Sequence, residues 1–167
     1  AIMQDCLFCK IISKDIPAAV IYEDNHALAV LDVAPRAPGH TLVIPKEHKE
    51  TIGSLSDQET GQFFLAVKEA ADLVVNSLGA HGATIGINQG AVSGQVVGHL
   101  HVHVMPRFRG DGGGSIQSVV NNKPKESIEE IKSKIQNFTF LYLSLELKHH
   151  GYTSKKKRRR VGKRHAF

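Results

Sequence analysis

The chain has 167 residues, 41% of them apolar and 22% charged. That is enough to bury a core in one domain and excludes disorder by composition. No run of about 18 apolar residues is present, so no membrane-spanning helix is expected. No basic segment precedes an apolar one at the start, so no secretory leader is expected either. The net charge of +5 is unevenly spread. Residues 148–167 hold nine of the 21 Lys and Arg and no acid, which leaves twelve basic against sixteen acidic residues, a net −4, in residues 1–147. The basicity therefore describes the tail and says nothing about what the body binds.

Cys6 and Cys9 are the only cysteines. Their C-x-x-C spacing is a poor disulfide framework and reads as a metal-ligand pair or a redox pair. Val20–Tyr22, Ala27–Asp32 and Thr41–Pro45 are short apolar runs bounded by polar, Pro or Gly residues, the pattern of strands. Asp24-Asn25 supplies a turn between the first two, and Ala34–Gly39 (APRAPG) a loop. Ser56 and Glu59 form a capping box. Behind it Phe63, Val67, Ala70, Ala71, Val74 and Leu78 keep helical spacing until Gly79, which suits a helix stop. Ala83–Asn88 reads as a strand, Gln89–Gly98 as a Gly-rich loop able to approach a ligand, and Arg107–Ser115 as a mobile Gly-rich segment. Pro124 can open a helix with Ile128, Ile131 and Ile135 on one face. Phe138–Leu147 (FTFLYLSLEL) places Leu141, Leu143, Leu145 and Leu147 on one side of an extended strand. The order of strands, helix, strands, helix predicts an α+β fold on an antiparallel sheet. A domain over 1–137, an apolar extension over 138–148 and a disordered basic tail over 149–167 follow from this reading.

The sharpest signal is His99-Leu100-His101-Val102-His103-Val104-Met105-Pro106. In a strand the side chains alternate, so the three imidazoles share one face while Leu100, Val102 and Val104 anchor the other. Neighbouring imidazoles oppose each other's protonation, so at least one is neutral near pH 7 and offers a lone pair. That nitrogen suits a nucleophile, a base or a metal ligand. A three-histidine metal centre is compatible with the same spacing, as are three surface histidines.

HLHVHVMPR resembles the motif of the histidine triad (HIT) family. DCLFCKIISKDIPA, YEDNHALAVLDVAPRAPGHTLVIPKEH and NQGAVSGQ resemble its other segments in the family's order, from about Asp5 to about Gln136. The resemblance implies a five-stranded antiparallel sheet with two main helices, which dimerises into a ten-stranded sheet. It implies a nucleotide hydrolase or transferase acting at the α-phosphate, with His101 as nucleophile and a nucleotidyl-histidine intermediate. His103 would stabilise phosphoryl charge, with His40 in support. Asn88, Gly94 and Gln95 match phosphate-contacting positions, and Asp32 the carboxylate that holds the ribose hydroxyls. Leu7, Phe8, Ile11, Leu31, Val33 and Leu42 match the apolar walls around a purine base. Val96 stands where the family often has Ser or Thr near the leaving group. The triad ending and Val96 resemble the bacterial-type and Fhit-like branches, while the compact loop Gln89–Gly98 and the central segment resemble the Hint or bacterial branches.

Some branches, and the related galactose-1-phosphate uridylyltransferases, hold structural zinc. The matching ligands here are Cys6, Cys9, His48 and His99. The expected substrate is a nucleoside phosphoramidate or a dinucleoside polyphosphate. The alternatives are a DNA 5′-adenylate hydrolase of the aprataxin kind and a non-enzymatic nucleotide-binding scaffold dimer. Lys155–Arg160 is a run of six basic residues, suited to nuclear import or to a phosphate backbone. A cytoplasmic protein, with a nuclear option from that run and no membrane partner, is the corresponding expectation.

Overall fold

The computed structural model describes residues 5–149, with side chains described as far as Phe138. Two compact units appear, Ala1–Val120 and Asn121–Phe167. In the first, helix α1 (Leu7–Ile12) precedes strands β1 (Val20–Glu23), β2 (Ala27–Leu31) and β3 (Thr41–Pro45). Helix α2 (Asp57–Leu78) follows, then β4 (Gly82–Gly86) and β5 (Val102–Arg107). The five strands form one antiparallel sheet in the order β1-β2-β3-β5-β4, so the α+β class with a five-stranded antiparallel sheet holds.

Local chemistry sets these boundaries. Asp24 Oδ1 accepts from the amides of His26 and Ala27, both at 2.7 Å, which closes the β1–β2 turn. Ser56 Oγ accepts from the Glu59 amide at 3.3 Å, and Glu59 Oε2 accepts from the Ser56 amide at 2.6 Å, so α2 begins on a complete capping box. It ends at Gly79 in the left-handed conformation, φ 63°.

The two faces of the sheet bury different things. Phe63, Ala66, Val67 and Ala70 of α2 pack on Ala27, Ala29, Val43, Leu100, Val102 and Val104. Phe8 of α1 packs on the other face, against Leu28, Val30, Leu42 and Ile44. Strands β2 and β3 are thus covered on both sides and are apolar throughout except at Thr41, whereas β5 alternates buried with half-buried residues. The face carrying α1 is also the histidine face, because His103 pairs across the ladder with Leu42 and with Gly86.

The second unit contains α3 (Ile128–His149). It starts on Ser127, whose Oγ accepts from the Glu130 amide at 3.3 Å, rather than at Pro124. The strand expected over Phe138–Leu147 is corrected by this helix, which runs straight through those residues. Alternating leucines are compatible with either state, and neither Gly nor Pro interrupts residues 125–149, so helix propagation wins. The basic tail from residue 150 onward, Lys155–Arg160 included, lies outside the described residues. Among the described residues no helix is long and apolar enough to cross a membrane.

Candidate active site and metal centre

The regular strand begins at Val102, three residues later than the alternation predicts, because His99 and Leu100 bond elsewhere. The Leu100 amide donates to the Lys49 carbonyl, and the His99 ring lies 2.9 Å from the Pro45 carbonyl through Nε2. The three histidines nevertheless share a face, with the His101 and His103 ring centroids 5.1 Å apart. Leu100, Val102 and Val104 are buried behind them.

Each imidazole has a different set of partners, and the partners fix the tautomers. His101 Nδ1 lies 2.8 Å from the His99 carbonyl, an acceptor only, so Nδ1 carries the proton and Nε2 keeps its lone pair. The Phe8 ring stands edge-on to His101 at 5.1 Å, which limits how far the imidazole can rotate. His40 Nδ1 accepts from the Arg36 amide at 3.2 Å, so the His40 proton sits on Nε2. That Nε2–H donates to His103 Nδ1 at 3.0 Å. The His103 proton is therefore on Nε2, a buried atom with no partner among the described residues. A buried donor without a partner is costly, and a phosphoryl oxygen at that point would satisfy it.

Burial holds the His40 pKa below the usual histidine range, opposed by Asp32, whose Oδ2 is 3.6 Å from His40 Nδ1. Burial likewise lowers His103, and the neighbouring His101 and His40 add to the shift. Both rings are thus less than half protonated at pH 6.5, where an ordinary histidine is half protonated. NMR titration of 15N-histidine-labelled protein should place both midpoints below 6.5. Midpoints above it would contradict the neutral relay.

Gly39 positions His40. Its φ is 77°, and a β-carbon there would also meet Val74 Cγ1 at 3.1 Å. Asp32, the residue after β2, lies beside His40, with Oδ1 accepting from the Ala34 amide at 2.9 Å. Asn88, Asp32, His40 and His103 line one cavity of about 950 Å³. Of the apolar positions, Phe8 and Leu42 are buried in the α1-side core and Ile11 packs against it. Leu7, Leu31 and Val33 are exposed, Val33 fully.

Gly94 is left-handed in the loop before the triad, φ 90°. The Gln95 amide braces that loop, accepting from the Gly90 amide at 2.7 Å and donating to the Glu50 carbonyl at 2.9 Å. Gln89 braces it as well, accepting from the Ile52 amide at 3.1 Å. The sequence offered no separate signal for Gln89. Val96 is 93% exposed at the loop's end.

A second cluster lies beside the triad. Cys6 is the N-cap of α1, yet its side chain makes no capping bond. Its Sγ lies 3.4 Å from His99 Nδ1 instead. Cys9, one turn on and buried, places Sγ 3.4 Å from His48 Nδ1 and 3.7 Å from His99 Nδ1. All four ligand atoms lie within 4.8 Å of one another. A tetrahedral zinc with sulfur at about 2.3 Å and nitrogen at about 2.0 Å has S···N edges of about 3.6 Å, so the residues fit such an ion. His99 donates its other nitrogen's proton to Pro45, which leaves Nδ1 unprotonated for a metal. Its own pKa is lowered to about 4, first by burial and then by His48 and His101. The three-histidine metal centre is not formed. His99 belongs to the cysteine cluster, His103 to a group with Asp32 and His40, and His101 to neither.

A five-stranded antiparallel sheet presents the three histidines on one face, and His40 and His103 line a cavity together with Asp32 and Asn88. The HIT domain family matches residues 13–110, and the chain belongs to the HIT family as one of its hydrolases. It is 50% identical over 107 residues to an uncharacterized HIT-like protein of Methanocaldococcus jannaschii, covering 64% of this chain and 82% of that one. It is 35% identical over 137 residues to the adenosine 5′-monophosphoramidase of Schizosaccharomyces pombe, covering 80% and 100%. The crystal structure of a HIT family member from Bacillus subtilis superposes with a TM-score of 0.70 at 38% identity, over 80% of this chain and 96% of that one. A zinc-bound histidine triad family protein from Mycobacterium smegmatis gives 0.59 at 36%, over 73% and 84%.

Proposed function

We propose that this chain cleaves purine nucleotide conjugates at the α-phosphate through a nucleotidyl-His101 intermediate. The observation that carries the proposal is the 2.8 Å contact between His101 Nδ1 and the His99 carbonyl, which leaves Nε2 as the attacking atom. The Nε2 lone pair forms a bond to phosphorus as the bond to the leaving group breaks. The leaving group departs with the electron pair and takes up a proton. The phosphorylated imidazole is then cationic, and the His99 carbonyl dipole stabilises its Nδ1–H. Water attacks phosphorus next and releases to solvent a proton equal to the one the leaving group took from solvent, the P–N bond breaks, and Nε2 regains its lone pair. His103 donates its Nε2–H to a non-bridging oxygen throughout, held in that tautomer by His40. Asp32 receives the ribose hydroxyls. In this reading Asn88, Gly94 and the braced loop take the phosphate, and Leu7, Phe8, Ile11, Leu31, Val33 and Leu42 wall the base.

The Cys6, Cys9, His48 and His99 set is read as a structural zinc site, supported by its tetrahedral spacing and by the zinc-bound relative. A bound zinc would fix α1 to the triad segment. The chain's own contribution is His99, which offers Nδ1 to that site and its carbonyl to His101. A homodimer is proposed through β4, an edge strand on which Ile85 is 44% exposed.

The S. pombe relative's name points to adenosine phosphoramidate as one substrate. A panel of adenosine phosphoramidates, dinucleoside polyphosphates, nucleotide sugars and adenylated DNA, read by mass spectrometry, tests the reading. Release of a nucleoside monophosphate from at least one small-molecule conjugate is expected. Turnover of adenylated DNA alone would favour the DNA-repair alternative.

A further inference from the structure

The two sulfurs of the Cys6, Cys9, His48 and His99 cluster are not equivalent. Cys6 is half-buried and Cys9 is buried. His48 is half-buried and His99 buried in the same way. The cluster therefore has an open side at Cys6 and His48 and a closed side at Cys9 and His99. Cys6 at the N-cap of α1 and Cys9 three residues on lie on one side of the helix, with their sulfurs within 4.8 Å of each other. Coordination to a metal keeps both sulfurs as thiolates. Thiolate is also the form that oxidants attack, and exposure decides which thiolate they reach.

A disulfide and a zinc site exclude each other at this pair. Tetrahedral zinc holds its sulfurs about 3.8 Å apart. A disulfide brings them to about 2.0 Å and leaves neither with a charge. The chain has no third cysteine, so an oxidised Cys6 has one partner within the chain, Cys9. Closing that bond consumes both sulfurs through which α1 reaches the two histidines, Cys6 to His99 and Cys9 to His48, each at 3.4 Å. Phe8 stands between the two cysteines in sequence, and its ring is edge-on to His99 at 5.9 Å and to His101 at 5.1 Å. His99 supplies the carbonyl that holds the His101 Nδ1 proton. The cysteine cluster and the nucleophile thus share Phe8 and His99, so a shift of the first turn of α1 reaches the groups that orient His101.

We propose that Cys6 is an oxidation site resolved by Cys9, and that closure of the Cys6–Cys9 disulfide empties the zinc site and slows the enzyme. This rests on the zinc reading above. The oxidant is a hydroperoxide such as hydrogen peroxide. The Cys6 thiolate attacks one peroxide oxygen, the O–O bond breaks, and hydroxide leaves with the electron pair, which gives a sulfenic acid at Cys6. The Cys9 thiolate then attacks that sulfur, the S–O bond breaks, and a second hydroxide leaves. Two electrons pass from the thiolates to the peroxide. With both anionic ligands neutralised, His48 and His99 alone no longer hold the ion. A dithiol reductant returns both thiols and reverses the change.

The test exposes the zinc-loaded full chain to hydrogen peroxide without reductant. A chromogenic chelator follows zinc release while intact mass under denaturing conditions follows the sulfurs. About one zinc per chain should appear as the protein mass falls by about 2 Da, the two hydrogens lost to a disulfide. Peptide mapping should place the bond at Cys6–Cys9. Turnover of an adenosine phosphoramidate should fall by about tenfold or more, the scale for groups that support a metal ligand, and dithiothreitol with added zinc should restore it. Cys6→Asp keeps an oxygen ligand for zinc and a residue favoured at a helix N-cap, but leaves a single thiol. At the dose that empties the wild type it should release no zinc. Should that variant bind no zinc, the wild-type mass and peptide map decide alone. Zinc retained by the peroxide-treated wild type would overturn the switch. Zinc released with both thiols still reduced, or a disulfide between two chains, would overturn it too. Full turnover by completely oxidised protein would overturn the coupling to His101. Reduced protein that binds no zinc at all would instead overturn the zinc reading itself, and the switch with it.

Discussion

Replacing His101 by Ala should reduce turnover by at least about 10⁴-fold, the order seen when a covalent nucleophile is removed from an intact site. Nucleoside monophosphate binding should change little. Asp32, Asn88 and the His40–His103 pair reach the cavity independently of the His101 ring. Calorimetry on the variant separates the two effects, and a large loss of affinity would show that His101 chiefly binds. His103→Ala leaves the attacking atom in place but removes the Nε2 donor, so its loss should be about 10²-fold to 10³-fold, as for one oxyanion donor.

Cys9→Ala should have the largest effect on stability. Cys9 is buried and lies within 3.7 Å of two of the other ligands, His48 and His99. Its loss opens the tetrahedral set and leaves two imidazoles without their thiolate. We expect zinc content to fall from about one per chain toward zero. Stability should fall by about 4 kcal/mol, or roughly 8–16 °C in Tm for a chain of this length. Elemental analysis and a thermal melt of protein prepared without chelator check both. Metal-free wild type that melts no lower than the loaded protein would remove zinc from the account.

The acid response of metal-free protein follows from His99. Its pKa is about 4 in the fold against 6.5 for an ordinary histidine. Between those values the unfolded chain takes up a proton that the folded chain does not, so stability declines as pH falls from 6.5 toward 4. More than about one pH unit above 6.5 the ring is neutral in both states and contributes no pH dependence.

Much of the site was legible because a strand's period of two and a capping box are local rules. β3 runs over Thr41–Pro45 as read, and α2 starts behind Ser56 and stops at Gly79. The shared histidine face follows from alternation alone. What local rules miss is partner choice. α1 is six residues long, too short for a periodicity signal, yet it carries both thiols. The histidine segment leaves the ladder at His99 because the Pro45 and Lys49 carbonyls, some fifty residues away, claim it. Arg107–Ser115 reads as a Gly-rich segment, whereas the Arg107–Asp111 fork within it, Nε to Oδ2 at 2.7 Å and Nη2 to Oδ1 at 2.9 Å, is a partner choice that composition does not reveal. Phe138–Leu147 shows the opposite error, an alternation that looked like a strand inside an uninterrupted helix. The resemblance supplied the residue roles. The geometry supplies the tautomers that make those roles chemically sensible.

The central claim is that His101 Nε2 attacks phosphorus. Rapid quenching under non-acidic conditions with an adenosine conjugate labelled at the α-phosphate, followed by peptide mapping, tests it most directly. The account predicts label on the peptide carrying His101, discharged to nucleoside monophosphate on dilution into water and absent from His101→Ala. Label on any other residue, or full turnover by His101→Ala, would contradict it.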